Sequence, residues 1–153
     1  MYAFEVVSVN VSNVKGTPKT PVVAITLLPD HGVEGDAHAG PGARQVSLLA
    51  EESIARMRDR HPGLAPGAFA ENITTRGVVL YTLAVGTELV IGEAVLEITQ
   101  IGKACHTGCT VARTAGTCVM PKEGVFARVI TGGTIHAAHC GHYRLRPGLT
   151  GPV

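Results

Sequence analysis

Glu88-Leu-Val-Ile-Gly-Glu-Ala-Val-Leu-Glu-Ile-Thr-Gln-Ile101 decides the fold. It holds two apolar runs, Glu88 to Ile91 and Val95 to Ile101, on either side of a glycine turn. Both are too short for a stable helix and rich in β-branched residues, which predicts two strands. Working outward, the same pattern returns at Asn72 to Thr75, Val78 to Leu83, Val125 to Ile130 and Thr134 to Ala137, each run set off by Gly-containing turns. Near the start, Phe4 to Val11 alternates, and Pro21 to Leu28 reads as its partner strand after the turn-like Lys15-Gly-Thr-Pro-Lys19. One segment predicts a helix, Ser47 to Arg60, from the spacing of Leu48, Leu49, Ile54 and Met57 and the acidic Glu51 and Glu52; His61-Pro62-Gly63 stops it. Many short strands at close turn spacing predict a mainly β protein, a closed or nearly closed β-barrel with one main α-helix and short extra helices.

Composition bounds the rest. A chain of 153 residues is expected to form one domain, 1–153, and at 45% hydrophobic and 16% charged it has the apolar content for its own core. Thirteen Lys and Arg against twelve Asp and Glu leave a formal charge of +1 with no basic block, which argues against nucleic acid as partner. No apolar run reaches the roughly 18 residues of a spanning helix, and Met1-Tyr-Ala-Phe-Glu5 has no signal-peptide character, so no membrane role and a cytoplasmic location are expected. The low charge leaves room for a homodimer interface, but 4% aromatic residues mark no place for it.

Chemistry concentrates in three places. Cys105, Cys109 and Cys118 crowd into fourteen positions, and Cys105 follows the strand ending at Ile101. Lys103 and His106 beside it favour the thiolate, the nucleophilic and metal-ligating form. Cys109 or Cys118 is placed to resolve an oxidised or persulfide form of Cys105. Zinc on these thiols with His106 is the weaker reading, because paired Cys-x-x-Cys knuckles are missing. Second, the loop Asp30-His-Gly-Val-Glu-Gly-Asp-Ala-His38 puts titratable groups between glycines, with Asp36 and His38 the better site candidates and His31 and Glu34 the poorer. Lys15, Lys19, Arg44 and Arg128 offer positive charge to a small anionic ligand. Third, the tail His136-Ala-Ala-His-Cys-Gly-His142 invites a metal reading, which strand alternation weakens by sending its members to different faces.

Taken in order, GVEGDAHAG (32–40), RQVSLL (44–49), PGAFAENITTRGV (66–78), LAVGTELVIGEAVLEITQIGKACH (83–106) and MPKEGVFARVITGG (120–133) resemble the MOSC domain, the family named after the C-terminal domain of molybdenum cofactor sulfurase. The likeness runs from about Phe4 to Ile135 and is closest to the small stand-alone bacterial type. It implies a β-barrel, binding of molybdenum cofactor or a related molybdopterin, and a cysteine, matched by Cys105, that carries sulfur or ligates the metal. Asp36 and His38 match the family's Asp-x-His pair, and Asn72 joins the cofactor-binding candidates. The chain departs from the pattern at Ala138-His139, where many members carry Gly-Asp. The implied activity is that of a sulfur carrier or sulfurtransferase. Cys105 would accept sulfane sulfur as a persulfide from a separate pyridoxal-phosphate cysteine desulfurase, or work with other molybdenum cofactor biosynthesis proteins. His106 or His38 would trade the proton. Two alternatives stand beside it: a molybdenum-dependent reductase of N-hydroxylated compounds with Cys105 as metal ligand, and a non-catalytic pterin carrier.

Overall fold

The computed structural model describes residues 2–102 and 119–145. Its strands are β1 Tyr2–Val11, β2 Thr20–Val22, β3 Ala24–Leu28, β4 Gly32–Val33, β5 Val46–Ala50, β6 Ile73–Arg76, β7 Glu88–Ile91, β8 Ala94–Ile101, β9 Val125–Thr131, β10 Gly133–His136 and β11 Cys140–Arg144. The helices among the described residues are α1 Glu51–Met57, a 3-10 turn at Leu80–Thr82, and α2 Met120–Glu123. Seven strands close on themselves in the order β1, β11, β7, β8, β9, β5, β6 and back to β1, which is the expected barrel. Closure leaves no open edge among those seven, the way small β proteins avoid edge-to-edge association. Strand β2 is added to the end of β1, and β10, β3 and β4 form a second, three-stranded sheet.

The deciding stretch behaves as its pattern demands. Leu89 faces Leu96 and Ile91 faces Ala94 across the β7–β8 hairpin, and all four are buried in the barrel interior. That interior is filled by alternate residues of every wall strand, including Val6, Leu48, Ile73, Ile98, Ala127 and Val129. Each large aliphatic side chain removed from water there contributes roughly 1.5–3 kcal/mol. A second apolar cluster, Leu49, Ile54, Phe69, Met120 and Phe126, lies on the outer side of the same wall. Strand β5 therefore has apolar groups on both faces, Leu48 inward and Leu49 outward.

That two-sided burial explains the main departure from the expected elements. Ser47 to Ala50 is strand, paired in parallel with β6 and antiparallel with β9, and the helix begins only at Glu51. The adjacent pair Leu48-Leu49 mimics helical spacing when both faces of a strand are buried. Pro21 to Leu28 is broken at the exposed Val23, so that β2 pairs with β1 while β3 pairs with β4 and β10. Val78 to Leu83 forms the 3-10 turn and no strand. The His-rich tail supplies β11, the strand that closes the barrel against β1 and β7.

Candidate functional site

The Gly-rich loop after β4 folds back on the turn that follows β1. Asp36 N–H donates to the Val33 carbonyl at 3.1 Å and Ala37 N–H to the Ser12 carbonyl at 2.7 Å, so the Asp36 side chain is carried inward beneath both segments. Its Oδ1 accepts from Ser12 N–H at 3.0 Å and its Oδ2 from the N–H of His38 at 3.1 Å, an Asx-turn geometry. Lys19 Nζ meets the same carboxylate at 2.8 Å from Oδ1 and 3.1 Å from Oδ2, and lies 3.0 Å from His38 Nδ1. The Lys19 and Asp36 side chains are both 0% exposed, while that of His38 is 31% exposed. Burial alone would raise the Asp36 pKa. The Lys19 ammonium and the N–H groups of Ser12 and His38 outweigh it and hold the carboxyl below its usual range.

Lys19 is fixed from its other end as well. Its backbone N–H donates to the Gly67 carbonyl at 2.8 Å. Gly67 sits at φ +89, and a Cβ there would lie 2.2 Å from the Lys19 carbonyl oxygen, so only glycine permits this approach. The Gly67 turn is organised by Glu71, which is fully buried and accepts from Gly67 N–H at 2.9 Å, Phe69 N–H at 3.2 Å and Thr74 Oγ1 at 2.7 Å. Burial raises the Glu71 pKa, because these donors only partly offset it and no cation stands among its hydrogen-bond partners in the described residues.

His38 opens onto a small recess on the outer face of the barrel wall, shared with Arg44, Ser47, Phe69, Ala70, Met120 and Phe126. Ser47 and Phe126 are register partners on β5 and β9. Arg44 reaches over the Phe126 ring, 5.5 Å from its centroid, and its Nε donates to Gln100 Oε1 at 3.3 Å. Ala70 takes φ +66, a left-handed conformation unusual for alanine, at the edge of the recess. The volume is about 60 Å3, the share of about two waters in the liquid.

The structure thus brings together Lys19, Asp36, His38 and Arg44. Lys15 is exposed in the turn after β1. Arg128 points outward on β9 and donates from Nε to Glu97 Oε1 at 2.8 Å, which raises its pKa. Asn72 is fully buried, its Oδ1 accepting from Ser47 N–H at 3.0 Å and its Nδ2 donating to the Asn10 carbonyl at 3.2 Å, so that it braces β5 against β1. Of the poorer candidates, Glu34 is exposed beside a shallow groove with Val11 and Val22, and His31 is half-buried. Lys103, Cys105, His106, Cys109 and Cys118 lie outside the described residues. Both ends of their stretch are described. Gly102 N–H donates to the Gly124 carbonyl at 2.7 Å, and Met120, two residues beyond Cys118, lines the recess.

Sequence reading missed Ser47, hidden by the helix reading of its segment, and Glu71, whose signal was an acid set among apolar and small residues in Ala68-Phe-Ala-Glu-Asn72. In the tail, the His136 and His139 rings stack with centroids 3.8 Å apart, and no cluster of three or more metal-ligating side chains occurs among the described residues. No helix among them is long and apolar enough to cross a membrane.

The residues present fit part of a molybdopterin-type cofactor. His38 and the Arg44 guanidinium suit a phosphate or oxo group, while the Ser47 hydroxyl is turned to the Ala70 carbonyl and Asn72 Oδ1; as formed by the described residues, a recess of about 60 Å3 does not admit a fused pterin ring system.

The structure is similar to the YuaD protein from Bacillus subtilis, with a TM-score of 0.76 at 14% identity over 92% of this chain and 95% of that one. It is also similar to YiiM from Geobacillus stearothermophilus, with a TM-score of 0.71 at 21% identity over 95% of this chain and 77% of that one. YiiM from Escherichia coli gives a TM-score of 0.69 at 21% identity over 95% and 71%. These likenesses show the fold. No curated protein sequence matches significantly. The family model for the MOSC domain matches residues 34–139, a span that includes Asp36, His38, Arg44 and Cys105. The chain belongs to the MOSC domain family, a molybdenum-cofactor-related family.

Proposed function

We propose that this domain binds a molybdopterin-type cofactor by its anionic end at the Arg44 recess and carries sulfur on Cys105 as a persulfide. One juxtaposition supports the reading. His38, held by the buried Lys19–Asp36 ion pair, and the Arg44 guanidinium share one recess, and Met120, two residues beyond Cys118, lines it as well. Arg44 and His38 would hold the anionic group, and the ring system would extend beyond the recess. Such a cofactor, when bound, supplies a metal centre able to take up or release sulfur or oxygen.

The chain's own chemistry is a transfer between sulfurs. The Cys105 thiolate attacks the outer sulfur of a donor persulfide, a new S–S bond forms, and the donor leaves as its thiolate; the formal oxidation state moves with the sulfur, and no external oxidant enters. The donor is a cysteine desulfurase acting in trans. Anaerobic purification with elemental and pterin analysis tests the cofactor half. Wild type is expected to hold molybdenum or tungsten with releasable pterin, and Arg44→Ala to lower the occupancy, with affinity falling by roughly tenfold or more for the loss of a charge-assisted contact. Wild type free of both metal and pterin would contradict it.

A further inference from the structure

Lys19 Nζ has three acceptors around it: Asp36 Oδ1 at 2.8 Å, Asp36 Oδ2 at 3.1 Å and His38 Nδ1 at 3.0 Å. An ammonium has three protons and no lone pair, so at each of these contacts it can only donate. His38 Nδ1 must then be bare, and a neutral imidazole with a bare Nδ1 carries its proton on Nε2. We infer that Lys19 is a positioning residue that locks His38 as its Nε2–H tautomer, so that Nε2 is a donor and the ring has no lone pair for a metal.

The competing arrangement fails on distance. Asp36 Oδ2 would favour a proton on Nδ1, but it lies 3.8 Å from that nitrogen, beyond hydrogen-bond range, and already accepts from Lys19 and from the His38 backbone N–H. An imidazolium would set an Nδ1–H against the ammonium at 3.0 Å. Lys19 itself is fully enclosed, so the positive charge that its sequence position offers to a ligand is spent inside the protein. Two consequences follow for the occupant. Any group that meets His38 Nε2 must present an acceptor, such as a phosphate, oxo or thiolate group, and a metal in the site is not ligated by His38. The tautomer rests on the cluster alone; only the identity of the acceptor rests on the cofactor reading above.

The test is a long-range proton–nitrogen correlation of the histidine rings in 15N-labelled, cofactor-free full-length protein at pH 7, with His38→Gln to assign the signal. The expected pattern is a protonated Nε2 and a bare Nδ1 in one tautomer, unchanged on adding Zn2+ alone. The double variant Lys19→Met, Asp36→Asn removes both charges together, leaving neither buried without its partner, and should turn the single tautomer into a mixture of the two. A proton on Nδ1 in wild type, an imidazolium, displacement of the Nε2 proton by Zn2+, or an unchanged tautomer in the folded double variant would each overturn the inference. If the double variant does not fold, the wild-type spectrum still decides. A locked Nε2–H in a protein that never contains molybdenum or pterin would sink the cofactor reading and leave the lock standing.

Discussion

Asp36 and Glu71 are both buried carboxyls less than one strand's reach from Lys19, one through its ammonium and the other through the Gly67 turn, yet their environments push them in opposite directions. Asp36 has a cation and two backbone N–H donors and is held below its ordinary 3.8; Glu71 has only neutral donors among the described residues and is raised above 4.5. Burial is the largest single influence on both. What separates them is one ammonium. The lesson is that the Lys19 side builds a fixed charge into the site, whereas the Glu71 side builds a turn, the one that carries Phe69 and the strained Ala70 to the recess.

The largest expected effect comes from breaking the ion pair. Lys19→Met strands a buried carboxylate and should cost about 3–5 kcal/mol in urea unfolding, since losing one partner of a buried pair leaves an uncompensated charge. Glu71→Gln keeps the shape and most of the hydrogen bonds and should cost about 1 kcal/mol. Equal costs would erase the distinction between the two carboxyls.

Stability measured against pH sharpens it further. Asp36, lowered in the fold, contributes stability that is present above 3.8 and is lost as pH falls through its depressed folded value. Glu71, raised in the fold, contributes fully below 4.5 and loses that contribution as pH climbs through its raised folded value. Glu71→Gln should therefore flatten the decline above pH 4.5 and leave the acid limb unchanged. A steeper decline in the variant would contradict the raised pKa. The smallest effect lies away from the site. Ala138 stands at φ +71 in the β10–β11 turn, a conformation that favours glycine, and Ala138→Gly should stabilise the fold by about 1 kcal/mol in thermal unfolding. A destabilised variant would show that the turn is not strained.

How much of this could be read from the sequence depends on how many faces each element buries. The β7–β8 hairpin and β9 alternate plainly and were legible, as was the closed barrel that they imply. Strand β5 was not, because Leu48 and Leu49 serve two separate apolar clusters and cancel the alternation. Strand β11 hid behind its histidines, although Gly141 and Tyr143 pair with Ile91 and Leu89. At the site, Asp36, His38 and Arg44 were legible as polar groups among glycines. That Lys19 would turn inward was not, since a lysine beside Pro18 and Thr20 reads as solvated, and only the approach of Gly67 shows why it is buried. Asn72 was legible as a polar residue in a family block, but its bracing of β1 and β5 depends on partners 62 and 25 residues away.

The most direct test of the central claim is the intact mass of the protein after anaerobic incubation with a cysteine desulfurase and cysteine, for wild type and Cys105→Ser side by side. Wild type is expected to gain about 32 Da, one sulfur atom, that is removed by reductant and absent from Cys105→Ser. The same gain in Cys105→Ser, carried by the exposed Cys140 or another thiol, or no gain in wild type, would contradict it.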